Sequence, residues 1–198
     1  MDVNRNEQES CQTLADDCNK AYKDYHSFIK TYFKSQYNAS NPTLGYKQGL
    51  LIDIHGQAHP EERLEIGYYI NSNDLNKPLL SDSLKNTVSK LRELNSNKYS
   101  VEELIRGASA SLGGIIQNKF GYKACPSPTE LPGTSLYFQG GFTVQTYSSY
   151  YPSSFNLNAI QIEFPKSMRN SSTYNTYAVN VASSIFDYYF IHSLDQLA

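Results

Sequence analysis

Gly49-Leu-Leu-Ile-Asp-Ile-His-Gly56, continuing as Gln57-Ala-His-Pro-Glu-Glu-Arg-Leu-Glu-Ile-Gly-Tyr68, is the stretch on which the fold turns. A short apolar run, Gly49 to Ile52, ends in an acid, a histidine and a glycine, and a second histidine follows four residues later. Residues 49–55 read as a strand apolar on both faces, as in a parallel sheet covered by helices. The carboxyl end of such a strand is where α/β proteins place ligands and reacting groups. Two of the four histidines in the chain fall in this one segment.

Working outward, residues 64–70 read as a second strand running into a turn at Asn71-Ser-Asn-Asp74. Upstream, Cys11, Leu14, Cys18, Ala21, Tyr22, Tyr25, Phe28, Ile29, Tyr32 and Phe33 recur at three-four spacing, which predicts an amphipathic helix over 11–36. Downstream, Leu84, Val88 and Leu91 predict a helix over 83–94. Ser100-Val-Glu-Glu103 has capping-box form, and its helical pattern resumes through Leu112, Ile115 and Ile116. Residues 121–141 carry Pro126, Pro128, Pro132, Gly133, Gly140 and Gly141 and read as a long functional loop. Residues 142–147 read as a strand, and 148–157 as an exposed loop. Ala159-Ile-Gln-Ile-Glu-Phe-Pro165 alternates strictly, with Ile160, Ile162 and Phe164 on one face and Gln161 and Glu163 on the other. A last helix is predicted over 173–192, with Tyr177, Val181, Ile185 and Tyr188 as its buried stripe. The order fits a single α/β domain over residues 1–198, with a mixed, mainly parallel sheet flanked by helices.

The bulk properties exclude some functions. A chain of 198 residues can build one ordinary core, burying roughly 70% of its unfolded surface. A net charge of −2, from 17 basic and 19 acidic residues with no Lys/Arg run, argues against nucleic acid as a partner. No segment approaches the roughly 20 apolar residues of a membrane span. The N-terminus is polar and shows no export signal, so the expected protein is soluble. Three cysteines, Cys11, Cys18 and Cys125, do not make a disulfide framework.

Four groups stand out chemically. Asp53 and His55 are two apart, on one strand face, so the acid can orient a histidine that acts as a metal ligand. The alternative is a strand end capped by a satisfied polar histidine. His59 is a ligand candidate or a partner of its own loop. Glu163, near the carboxyl end of its strand, reads as a general base, or as an edge carboxylate in water or paired with Lys166 or Arg169. Arg63 and Glu65, two apart, read as an exposed pair of little energetic worth.

Taken together, Asp2-Val-Asn-Arg5, Asp53-Ile-His-Gly-Gln-Ala-His59, Arg63-Leu-Glu-Ile-Gly-Tyr68, Gly140-Gly-Phe-Thr-Val144 and Ala159-Ile-Gln-Ile-Glu-Phe-Pro165 resemble the N-formylglutamate amidohydrolase-like family of zinc carboxypeptidase-like hydrolases. The resemblance implies a phosphorylase/hydrolase-like, zinc-exopeptidase-type α/β fold. It implies that Arg5, with Asn4 and Arg63, contacts a substrate carboxylate, which a guanidinium grips bidentately. It also implies that His55 is a zinc ligand and that Glu163 activates the zinc-bound water. The expected reaction is hydrolysis of an amide next to a carboxylate, in an N-acyl amino acid or a peptide-like compound.

A catalytic zinc takes three protein ligands. In the family the other two precede the Asp-x-Asn-Arg element, which here begins at residue 2. The chain is therefore expected to be the family domain without its first strands, or a non-catalytic binding module on the same fold. Thr146-Tyr147-Ser148 departs from the family pattern at a substrate-side position. A sheet lacking an early strand would expose an edge through which copies could associate. All of this requires Arg5, His55 and Glu163 to line one cleft.

Overall fold

The computed structural model describes residues 15–34, 49–80, 98–147 and 157–193. The expected helix over 83–94, residues 148–156 of the loop expected over 148–157, and Asn4 and Arg5 lie outside them, while Leu157 already belongs to a strand. The chain divides into two compact units, Met1–Lys47 and Gln48–Ala198. In the first, helix α1 (Ala15–Lys34) answers to the three-four spacing. Lys20 pairs with Asp24 one turn on, and Tyr22, Tyr25 and Phe28 of the apolar stripe are exposed.

Among the described residues the second unit carries four strands, β1 (Gly49–Gly56), β2 (Leu64–Gly67), β3 (Ala124–Cys125) and β4 (Leu157–Phe164). Their order is β1-β4-β2-β3. β1 runs parallel to β4 and β2 parallel to β3, while β2 and β4 are antiparallel. The fold class is thus α/β with a four-stranded mixed sheet and flanking helices. The helices are α2 (Ser72–Leu75), α3 (Val101–Arg106), α4 (Leu112–Phe120), α5 (Phe142–Tyr147) and α6 (Tyr174–Ser193), with a 3-10 turn at Lys166–Arg169. Among the described residues no helix is long and apolar enough to cross a membrane.

The two faces of the sheet differ. One presents Leu64, Ile66, Ala124, Ile160 and Ile162 to a core completed by Leu104 and Ile105 of α3, Leu112, Ile115 and Ile116 of α4, and Val181 and Tyr188 of α6. The core strands are apolar on this face because helices exclude water there. The other face carries Asp53 and His55, Gln161 and Glu163, and Glu65. It is covered by the chain between Glu130 and Tyr147, not by a helix pair.

Local sequence was overruled in four places. Residues 142–147 alternate like a strand but form α5, because Val144 and Tyr147, three apart, are the pair that finds burial. The strand expected over 64–70 stops at Gly67, and Tyr69 takes a positive φ of 61°. The turn expected at 71–74 is tightened into the single turn α2, capped by the Asn71 side chain. The helical pattern from Ser100 to Ile116 breaks at Gly107. Ser100 and Glu103 form the expected capping box on α3, and Ser111 starts α4 anew by accepting from the Gly114 N–H.

Candidate functional site

β4 lies between β1 and β2, so its alternation puts a polar row inside the fold, not at an edge. Glu163 is 4% exposed and Gln161 equally buried. This corrects the reading of Glu163 as an edge carboxylate in water. The register pairs His55 with Glu163 across β1 and β4, Glu163 with Glu65 across β4 and β2, and Glu65 with Cys125 across β2 and β3. These four residues form one line across the sheet, with neighbouring strands about 4.8 Å apart. His55 and Glu163, distant in sequence, are direct neighbours.

On the β1 side of this line, His55 Nε2 lies 3.1 Å from Asp53 Oδ1, and both side chains are partly exposed. Burial pushes the Asp53 carboxyl up, but hydrogen bonds from His55 and Thr143 and the charge of His55 outweigh it, leaving the group below its usual range. In the middle, Gln161 Nε2 donates to Glu163 Oε1 at 2.6 Å, and Gln161 Oε1 accepts from the Gly141 N–H at 2.7 Å. Gln161 therefore spans from the covering chain to the carboxylate and fixes one Glu163 oxygen.

On the β2 side, Glu65 is fully buried. Its Oε1 lies 3.0 Å from His59 Nδ1 and its Oε2 accepts from the Phe138 N–H at 2.8 Å. His59 stacks on the Phe138 ring, centroids 4.7 Å apart. Arg63 is not the exposed partner the spacing suggested. It is 2% exposed and donates to Glu130 Oε1 at 2.9 Å and to the Leu136 carbonyl at 3.2 Å, with its Nε 3.6 Å from Glu65. These contacts make Arg63 a brace for the 130–138 segment inside the fold.

Tyr137 adds a hydrogen bond to the Ile66 carbonyl at 2.7 Å. Gly67 lets the strap approach: a Cβ there would stand 2.4 Å from the Gly140 nitrogen. Cys125, at the far end of the line, has its thiol pushed up to about 12 by burial, with Glu65, Glu130 and Glu61 adding to the effect and Arg63 opposing it. It is a buried thiol and not a nucleophile.

Arg169 does not pair with Glu163; it donates to the Gln57 carbonyl at 2.8 Å. A cavity of about 460 Å³ near it is lined by Glu62, Lys166, Ser167, Arg169 and Asn170, and neither His55 nor Glu163 lines it. Thr146 and Tyr147 belong to α5, and Ser148 lies outside the described residues. Glu65, Gln161, Phe138 and Glu130 were not singled out as site residues from sequence. Only the Gln161-x-Glu163 alternation signalled part of the set.

A catalytic zinc takes three protein ligands. Among the described residues, no group of three His, Cys, Asp or Glu side chains is placed to hold a metal ion. Asp53 and His55 offer two donors, and they bond to one another. This donor set does not complete a zinc site by itself, and the same residues offer carboxylates and imidazoles able to accept and return protons. No protein-family model, no curated protein and no solved structure matches the chain.

Proposed function

We propose that the polar face of this sheet is a hydrolytic site for a small molecule bearing an amide next to a carboxylate, such as an N-acyl amino acid or a peptide-like compound. The observation that carries the reading is the line His55–Glu163–Glu65, three ionisable side chains on three adjacent strands. Desolvating carboxylates costs several kcal/mol each unless something compensates. A structural sheet has no need of such a row, whereas hydrolysis needs groups that accept and return protons. Glu163 takes the proton from the attacking water. Gln161 holds one of its oxygens by a hydrogen bond and so orients the carboxylate. His55, held by Asp53, stands beside this base on the neighbouring strand. Copies would associate through β1, which among the described strands has a neighbour on one side.

The test uses the purified chain with N-formyl and N-acetyl amino acids, with and without added zinc, following release of the free amine. Wild type is expected to hydrolyse them, and Glu163→Gln to lose about 10²–10⁴-fold in kcat. An inactive wild type overturns the reading. The second reading, a non-catalytic binding module, is favoured by the incomplete donor set among the described residues. It predicts saturable binding of the same compounds by calorimetry, unchanged by zinc and without turnover.

A further inference from the structure

Hydrolysis of an amide needs two proton transfers, one from the water and one to the departing nitrogen. Glu163 accounts for the first. The geometry around His59 supplies a group for the second. The imidazole is held twice: Nδ1 by Glu65 Oε1 at 3.0 Å, and its ring face by Phe138 at 4.7 Å. Glu65 is itself immobilised by the Phe138 N–H and faced by Arg63. His59 retains 13% side-chain exposure, whereas Glu65 has none. Its Nε2 makes no hydrogen bond among the described residues, so this nitrogen is the open one. A carboxylate on one imidazole nitrogen fixes the ring and the proton on that side, leaving the other nitrogen for transfer. Glu65 is also the cross-strand partner of Glu163. The imidazole and the proposed base therefore flank the same strip of sheet. The charged groups facing His59 are Glu65 from β2, and Glu61 and Arg63 from its own loop, with Arg63 turned toward Glu130.

We propose that His59, positioned by Glu65 and Phe138, is the proton donor to the leaving group in the reaction assigned above, on which this inference rests. The water oxygen bonds to the carbonyl carbon as its proton passes to Glu163. The C–N bond then breaks as the Nε2 proton of His59 moves to the nitrogen. Solvent takes the proton from Glu163 and reprotonates His59, so the net reaction is amide plus water to acid plus amine.

The experiment compares two substrates. One is an N-acyl amino acid, whose amine must be protonated to leave. The other is an acyl ester of a nitrophenol carboxylate, whose oxygen leaves unprotonated. His59→Gln is expected to lose about 10²-fold or more in kcat on the amide and to stay within about threefold of wild type on the ester. Equal losses on both substrates make His59 a structural residue and overturn the inference while leaving the hydrolytic reading intact. A wild type inactive on both overturns the two together. The native chain supplies a second readout independent of the variant's folding. Long-range proton–nitrogen spectra of wild type should show the neutral imidazole carrying its proton on Nδ1, the nitrogen held by Glu65. The reverse assignment also overturns the inference.

Discussion

The polar face holds two histidine–carboxylate pairs of nearly the same length, 3.1 Å for His55–Asp53 and 3.0 Å for His59–Glu65. They differ in what surrounds the acid. Asp53 is on the outer strand of the described sheet and partly exposed. Glu65 is fully buried, accepts from the Phe138 N–H and has an arginine beside it. Water can replace either partner of the first pair, so that pair costs little to form and little to open. In the second pair the carboxylate cannot be rehydrated without displacing the covering segment, while His59 keeps 13% of its side chain exposed. Identical contacts thus serve different ends: an accessible donor pair at β1, and a rigid, pre-oriented imidazole at β2.

The comparison breaks most sharply at Glu65. Removing it by Glu65→Ala leaves Arg63 buried with one carboxylate fewer and frees the Phe138 N–H. Loss of one partner of a buried pair costs about 3–5 kcal/mol, measurable as a drop in the urea midpoint at constant m-value. The matching change on the other side, Asp53→Asn, should cost only about 0.5 kcal/mol, the range of partly exposed pairs. If the two changes cost the same, the distinction between the pairs is wrong.

The Asp53 contribution also has a pH signature. Its folded carboxyl titrates below the ordinary value of 3.8, so the stabilisation is fully present above that value and is lost as pH falls through the folded pKa. The stability difference between wild type and Asp53→Asn should therefore be present at about pH 5 and shrink below about 4. Unfolding curves at both ends of that window test it; a difference that grows on acidification contradicts the sign. The smallest effect is at Cys125, beyond the sealed pair. With its thiol pushed up to about 12, it should resist alkylation at pH 8 in the folded protein and react once urea unfolds the chain, as read by peptide mass mapping.

Much of this architecture was legible beforehand for identifiable reasons. β1 and β4 announced themselves by an apolar run and a strict alternation. α3 was announced by Ser100 and Glu103, and α6 by its stripe of Tyr177, Val181, Ile185 and Tyr188. Each is a local pattern whose period survives folding. α5 was missed because Phe142 to Tyr147 satisfies both periods, and only the position of its neighbours selects one. The exposed reading of Arg63 and Glu65 failed because spacing reports which face a residue shares, not what covers that face.

From sequence alone came the polar end of β1, the alternation that separates Gln161 and Glu163 from Ile160 and Ile162, and the α/β class, because these follow from side-chain periodicity along single segments. Tertiary structure alone decided that β4 runs between β1 and β2, bringing Glu163 beside both His55 and Glu65. It also decided that residues 130–141 close over the second pair and leave the first accessible. Strand order and loop coverage arise from contacts between residues far apart in the chain. No local pattern encodes which strand a given strand will pair with.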